Sequence, residues 1–140
     1  MIFKNYSETA TLLAQKIKEL IDDVETPRGA SLPKYSLTFI NPESEEFANK
    51  VASILNTNLN ELINPQNLII IDNGLTPSVE YNEFTDQIRK KHPTTNLIIA
   101  IPVIPESEKE ILSENCDTLL YLHSDPYFFS VDQFYEEAKF

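Results

Sequence analysis

Short runs of apolar residues alternate along the chain with longer segments in which apolar residues recur every three or four positions. The short runs favour strands that are covered on both faces of a parallel sheet. The periodic segments favour helices with one apolar face. Strands are therefore predicted at 35–40, 68–71, 96–104 and 118–122, and helices at 6–23, 42–55, 77–92, 105–111 and 130–139.

Strands separated by helices predict an α/β fold with three layers, in which helices cover both faces of a mostly parallel, twisted, Rossmann-like sheet. The units are expected to be joined by right-handed crossovers. The length of 140 residues suits one domain with a substantial core. Pro102 lies inside the third predicted strand. Because proline cannot donate to a sheet ladder, we expect the strand to fray or end there.

The segment 67–80 is the first candidate for a ligand site. Its strand leads into Asp72, Asn73 and Gly74, and Thr76 and Pro77 then open a helix. In open α/β sheets, ligands bind just beyond the carboxyl ends of the strands. A small-molecule site is therefore expected between Asp72 and Glu80.

This order of residues resembles the signature of the type I phosphoribosyltransferases, in which a hydrophobic strand is followed by two acidic residues, a glycine and a turn into a helix. The resemblance implies that Asp72 matches the acid that holds the ribose of phosphoribosyl pyrophosphate, and that Gly74 matches the glycine. Asn73 stands where the second acid is expected. The turn that would cradle the 5-phosphate is represented by Thr76, Ser78 and Glu80.

The resemblance also implies a pyrophosphate loop after the first strand, at Asn41, Glu43 and Ser44. Asn41 and Pro42 are good residues for starting a helix, but the first turn then carries Glu43, Glu45 and Glu46. Three carboxylates would repel pyrophosphate. The implied hood over the substrate base is also incomplete, because the segment 56–66 is too short to supply it.

The segment that corresponds to the phosphate cradle also departs from the family in ways that disfavour an anion. Pro77 removes a backbone donor, and Glu80 adds a carboxylate where phosphate would lie. The whole chain has two glycines, Gly29 and Gly74, too few for two glycine-dependent loops. The strand and helix order of the family is thus retained, whereas both anion-binding loops are degenerate.

The C-terminal segment 125–137 is rich in aromatic residues and resembles the end of stand-alone bacterial members of that family. Ser130 and Gln133 predict a capping box for a last helix over 130–139. We expect the aromatic residues to form a lid on the core rather than a platform for stacking a base. The resemblance therefore spans the chain in order, with a deletion before Asn67.

The balance of 22 acidic and 11 basic residues gives a net charge of −11, which disfavours nucleic acids and anionic membranes as partners. The one basic cluster, Arg89 to His92, falls at a predicted helix end, where it complements the helix dipole. Cys116 is single and is expected to be structural. No apolar run approaches the roughly 20 residues of a membrane span, and no signal peptide is recognised, so a cytoplasmic protein is expected.

Three functions remain open. The first is a lapsed phosphoribosyltransferase-like module that binds a protein partner, or a neutral or cationic ligand, at an acidic crevice formed by Glu43, Glu45, Glu46, Asp72 and Glu80. The second is an active transferase acting on a base or amine, in which Mg²⁺ offsets the acidic mouth and Asp72 holds the ribose or the metal. The third is an unrelated doubly wound signalling domain.

No catalytic residue is assigned under any of these hypotheses, and the first requires no cofactor. His92 and His123 are isolated and have no partner at a metal-ligand spacing. Asp72 and Glu80 could bind a cation, although capping and first-turn charge explain them equally well. An edge strand left exposed by the missing hood could also support a homodimer.

Overall fold

The computed structural model describes residues 2–23, 35–57, 59, 66–74 and 78–137. These residues form a four-stranded, all-parallel sheet in which the strands lie side by side in chain order. The α/β prediction is confirmed, and the fourth helix and the fourth strand each continue beyond their predicted ends. The elements are α1 (Tyr6–Asp23), β1 (Tyr35–Thr38), α2 (Glu45–Ile54), β2 (Asn67–Ile71), α3 (Ser78–Lys91), β3 (Asn96–Pro105), α4 (Glu106–Glu114) and β4 (Thr118–Asp125), with 3₁₀ turns at Pro42–Ser44 and Val131–Phe134.

Helices cover both faces of the sheet, which gives the three predicted layers. The helices α1 and α2 share a core cluster with Ile69 and Ile71 of β2. The helices α3 and α4 share the opposite cluster with Leu68 and Ile70 of the same strand. Successive side chains of a strand point to opposite faces, so an uninterrupted apolar run is what a strand buried on both sides requires.

The crossover through α2 differs in hand from the crossovers through α3 and α4. Because β1, β2 and β3 are parallel and adjacent in chain order, crossovers of one hand would place all their helices on one face. Instead, α2 packs beside α1, across the sheet from α3. The expectation of uniformly right-handed crossovers is therefore wrong. The apolar face of α2, at Phe47, Ala48 and Val51, joins the cluster of α1, so it completes the layer that α1 begins over β3 and β4.

Pro102 does not end β3, which continues to Pro105. The neighbouring strand β2 ends at Ile71 opposite Ala100, and beyond that point β3 pairs only with β4. The carbonyl oxygen of Ala100 accepts from Asp72 N at 3.0 Å, so it points towards the β2 side. Backbone groups two residues apart share a side, and Pro102 therefore faces the side where β2 has ended. The prediction was wrong because this proline removes no ladder hydrogen bond.

The predicted last helix is only the 3₁₀ turn Val131–Phe134. The predicted capping box between Ser130 and Gln133 is present at its start. Tyr135 then leaves the helical conformation and forms a parallel bridge with Phe3. Residues 136 and 137 donate their N–H groups to the carbonyl oxygens of residues 3 and 4, both at 2.8 Å. The local signal for the start of a helix at Ser130 was correct. Beyond the 3₁₀ turn and up to residue 137, however, the chain pairs with the N-terminal segment instead of continuing as a helix. The remaining part of the prediction, 138–139, lies outside the described residues.

Within the part of the chain that the structure describes, no helix combines the length and apolar character needed to cross a membrane.

Candidate functional site

The loops that follow β1 and β2 meet at the carboxyl edge of the sheet. Ser44 Oγ donates to Asp72 Oδ1 at 2.6 Å. The backbone N–H of Asn73 lies 2.9 Å from the same carboxylate oxygen and 3.3 Å from Ser44 Oγ. Asn73 Nδ2 donates to the carbonyl oxygen of Glu43 at 3.3 Å. The two segments predicted as remnant phosphate and pyrophosphate loops are therefore joined to each other.

The carboxylate of Asp72 is buried, with 2% of the residue exposed. Its second oxygen, Oδ2, accepts from the Tyr81 hydroxyl at 2.5 Å. Tyr81 and Ser44 are both fully buried. Each carboxylate oxygen thus accepts from a hydroxyl group, in the short geometry typical of charge-assisted hydrogen bonds. We call Ser44, Asp72, Asn73 and Tyr81 the Asp72 network.

Local sequence explains how the two hydroxyl donors reach Asp72. Asn41 caps the turn Pro42–Ser44 by accepting from Glu43 N at 3.0 Å, and the turn directs Ser44 inward. Tyr81 lies in the first turn of α3, on the apolar face that also carries Ile88. Asn41 is therefore a helix cap, and the side chain that reaches Asp72 from the first loop is that of Ser44.

Gly74 is required by close packing against the protein itself. Its φ is +106°, a conformation that residues with a Cβ rarely adopt. A Cβ at this position would lie 3.1 Å from the Val103 carbonyl oxygen and 3.1 Å from Val131 Cγ2. The resemblance matched Gly74 to a ligand-binding loop. In the structure, Gly74 has no side chain in the way, and this allows β3 and the second 3₁₀ turn to approach the end of β2.

The other candidate residues are spread around this edge. Glu43, Glu45, Glu46 and Glu80 are exposed and form an acidic rim. Asp72 is directed into the interior, so the predicted crevice does not include its carboxylate as an accessible group. Thr76 lies outside the described residues, as does the side chain of Ser78, whose backbone begins α3.

Asp72 was also the weak candidate for a metal ligand. Among the described residues, no group of three or more His, Cys, Asp or Glu side chains could hold a metal ion. The hydroxyl groups of Ser44 and Tyr81 occupy hydrogen-bonding positions on the two oxygens that a cation would use.

The C-terminal aromatic residues divide into two groups. Phe134 and Tyr135 are buried, and the Phe128 ring lies 5.3 Å from that of Phe134, so these residues form the predicted lid. Tyr127 and Phe129 are 74% and 87% exposed, so the lid prediction is wrong for both. The sequence gives only a partial indication of which rings are exposed. Tyr127 and Phe129 immediately precede and follow Phe128, whose ring points inward, in the non-helical segment after β4. We call Asp125–Ser130 the aromatic loop.

Two polar groups in the C-terminal region have displaced pKa values. The Tyr127 N–H donates to Asp125 Oδ1 at 2.8 Å, and the His123 ring lies 3.3 Å from Asp125 Oδ2. The hydrogen bond from the Tyr127 N–H has the larger effect and the one with His123 the smaller, and together they hold the pKa of Asp125 below its ordinary value of 3.8.

Burial raises the pKa of Tyr135 to about 12. Tyr135 is thus a neutral hydroxyl that contacts Thr9 Oγ1 at 3.1 Å.

The sequence did not single out Tyr81 as a partner of Asp72. Apolar spacing identifies the buried face of a helix but not the acceptor that a hydroxyl meets there. A tyrosine in the first turn of the helix that follows a buried aspartate is the available signal.

Two cavities lined by described residues lie away from the Asp72 network. The larger, of about 490 Å³, lies between α1 and the C-terminal end of α2, and Tyr35 at the start of β1 lines it. The smaller, of about 270 Å³, adjoins it at Asn56. Both are at the end of the sheet where β1 begins, whereas the candidate site is at the end where β1 and β2 finish.

No protein-family model matches the chain, and no curated protein matches it in sequence. The likeness to phosphoribosyltransferases therefore stays a prediction from the motif at residues 67–80 and the C-terminal segment.

Proposed function

We propose that this chain is a phosphoribosyltransferase-like module that has lost the transfer reaction and acts by binding another molecule, in a regulatory role. The observation that carries the proposal is the state of Asp72, the residue matched to the ribose-binding acid. Both of its carboxylate oxygens accept from buried hydroxyl groups, and only 2% of the residue is exposed.

A ribose-binding carboxylate has to present lone pairs to the crevice. Because Asp72 is buried, a ribose hydroxyl could reach its oxygens only by displacing the Ser44 or the Tyr81 hydroxyl from the space around them. That displacement would break a buried hydrogen bond to the carboxylate, at a cost of about 1–3 kcal/mol. The network therefore favours the closed arrangement over the ligand-bound one.

The charge of the rim acts in the same direction. Glu43, Glu45, Glu46 and Glu80 are exposed around the Asp72 network. The described residues after β1 and β2 that lead into α2 and α3, at 39–48, 72–74 and 78–81, contain no Lys or Arg. A phosphoribosyl pyrophosphate molecule carries several negative charges, and such an acidic rim lowers its local concentration.

Calorimetric titration with phosphoribosyl pyrophosphate, with and without Mg²⁺, tests the proposal. We expect no heat of binding at millimolar ligand under either condition. Mg²⁺-dependent binding at micromolar ligand would overturn the proposal and favour an active transferase.

A variant in which Glu43, Glu45 and Glu46 are all changed to Gln separates the two reasons for weak binding. We expect this variant also to give no heat, because Asp72 stays closed. Binding by the neutralised variant alone would contradict the role given to the Asp72 network and leave repulsion as the cause.

We also propose a cytoplasmic location. The single cysteine, Cys116, is a buried free thiol, and a fold without disulfides suits a reducing compartment.

A further inference from the structure

Tyr127 and Phe129 are the two most exposed large apolar side chains among the described residues, at 74% and 87%. Single exposed apolar residues are common on protein surfaces. Here two large aromatic side chains are exposed two residues apart, on either side of an inward-pointing phenylalanine. Aromatic side chains of this kind dominate the binding energy of many interfaces.

The side chain of Gln133 makes three hydrogen bonds to the backbone of the aromatic loop. Gln133 Oε1 accepts from the N–H groups of Phe129 and Ser130, at 2.5 and 2.9 Å. Gln133 Nε2 donates to the carbonyl oxygen of Tyr127 at 2.9 Å. These three hydrogen bonds tie the loop backbone to the turn Val131–Phe134 that follows it. A preorganised surface loses less conformational entropy on binding, which raises affinity for a given set of contacts.

The aromatic loop lies beside the acidic rim. The turn Val131–Phe134 directly follows the loop, and Val131 lies against the position where Gly74 would carry a Cβ. In a parallel sheet the carboxyl ends of all strands share one edge, so the loop after β4 lies at the same edge as the loops after β1 and β2. The described segment 125–137 itself carries four carboxylates and no Lys or Arg.

We propose that the aromatic loop and the acidic rim form a docking surface for an extended, basic segment of a protein partner. Arg or Lys side chains of that segment lie against the rings of Tyr127 and Phe129 and are neutralised by the rim glutamates. Guanidinium and ammonium groups are attracted to aromatic faces and to carboxylates alike. This inference rests on the proposed function for the statement that the module acts by binding, and it adds the chemical class of the partner and the surface that the partner contacts.

Two other occupants fit the charges less well. A second copy of this chain would bring two acidic surfaces together, each from a chain of net charge −11. A nucleotide could stack its base on the exposed rings, but its phosphates would meet the same rim glutamates. Both alternatives make measurable predictions that differ from those of the basic segment.

An array of twelve-residue peptides tests the proposal. The numbers of basic, acidic and aromatic residues vary independently among the peptides, and the array is probed with the full chain. The best peptides are then measured by fluorescence anisotropy with the wild type and with a Tyr127→Ser/Phe129→Ser variant. We expect the selected peptides to be rich in Arg and Lys, and their affinity to fall about tenfold or more in the variant. Affinity should also weaken as salt rises from about 50 to 200 mM.

Two further variants make the result specific. Ile111→Ser removes a large exposed apolar side chain from α4, which is 42% exposed, and should bind as the wild type does. Gln133→Ala releases the loop and should weaken binding while leaving the preference for basic peptides unchanged. Both substituted aromatic residues are exposed, so a thermal melt should show that the double variant is folded like the wild type.

Several results would overturn the proposal. These are an array without binders at roughly 100 µM protein, a preference for acidic or neutral peptides, and equal binding by the wild type and the double variant. Dimerisation that the double variant abolishes would assign the surface to a second copy, and binding of a nucleoside that it abolishes would assign it to a base.

The outcome is separable from that of the phosphoribosyl pyrophosphate titration. If that ligand binds while basic peptides still require Tyr127 and Phe129, the proposed loss of the reaction fails and the docking surface stands. If that ligand does not bind, and peptide binding does not depend on Tyr127 and Phe129, then only the proposed docking surface is contradicted.

Discussion

The Asp72 network and the aromatic loop lie at the same edge of the sheet, yet they place polar and apolar groups in opposite ways. In the network, a carboxylate is buried with a hydroxyl donor on each oxygen. In the loop, two aromatic rings are exposed on a backbone that is hydrogen-bonded by the side chain of Gln133. The first region is satisfied entirely within the protein, whereas the second presents groups that the protein does not cover.

At this one edge of the fold, the Asp72 network is therefore expected to affect stability, and the aromatic loop is expected to affect binding. A buried carboxylate is tolerated only when its oxygens are hydrogen-bonded, so the Asp72 network is expected to contribute to folding. An exposed phenylalanine forgoes roughly 2 kcal/mol of stabilisation that its burial would supply. The proposed docking surface accounts for this exposure. Four measurements test this division.

The largest contrast is expected between two phenylalanines of the C-terminal segment. Phe134→Ala should lower the free energy of unfolding by about 3–5 kcal/mol, because Phe134 is 3% exposed and packs against Phe128. Phe129→Ala should change it by less than about 0.5 kcal/mol. Urea unfolding of both variants measures the contrast. Equal losses would mean that the aromatic loop is part of the folding core.

Asp72→Ala should lower the free energy of unfolding by about 2–4 kcal/mol, because it removes the buried hydrogen bonds from the Ser44 and Tyr81 hydroxyls to the carboxylate. Glu80→Ala is the matched control, since it removes the same charge from the exposed rim and should cost less than about 0.5 kcal/mol. The same urea titration serves both variants. A loss below about 1 kcal/mol for Asp72→Ala would contradict a stabilising network.

Gly74→Ala should cost about 1–3 kcal/mol, from the positive φ and from contact with Val103 and Val131. The two causes are separable in a double-mutant cycle with Val131→Ala, which removes the Cγ2 atom 3.1 Å from the added Cβ. The cost of Gly74→Ala should be smaller by at least about 0.5 kcal/mol in that background. An unchanged cost would assign the whole effect to backbone strain or to the Val103 carbonyl.

The smallest effect concerns pH at the base of the aromatic loop. Since the pKa of Asp125 is lowered in the folded state, its contribution to stability is present above the ordinary value of 3.8 and is lost as pH falls through the lowered pKa. The hydrogen bond from Tyr127 N should weaken over that range. The Tyr127 amide resonance should therefore titrate below pH 3.8 in the wild type and not in Asp125→Asn. An amide that titrates equally in both would show that another group controls the loop.

Much of the fold followed from local patterns in the sequence. The apolar run Leu68–Ile71 predicted a strand buried on both faces, and the residues around Asn41 and Ser130 predicted helix starts that the structure contains. The parallel arrangement also predicted that the loops after β1 and β2 would meet at one edge. These features depend on strand pleat, capping and connectivity, which are short-range properties that a sequence displays directly.

Tertiary contacts alone decided whether the groups at that edge face a ligand or each other. Asp72 is buried because α3 brings Tyr81 to one carboxylate oxygen and the first turn brings Ser44 to the other. Pro102 continues β3 because β2 ends opposite Ala100, and the last helix stops because Tyr135 pairs with Phe3. Local sequence preferences were enough to predict which residues form strands and helix starts. Which acceptor a hydroxyl meets, which proline lacks a neighbouring strand and which aromatic ring is left uncovered depend on residues far apart in the chain, and only the packed structure brings them together.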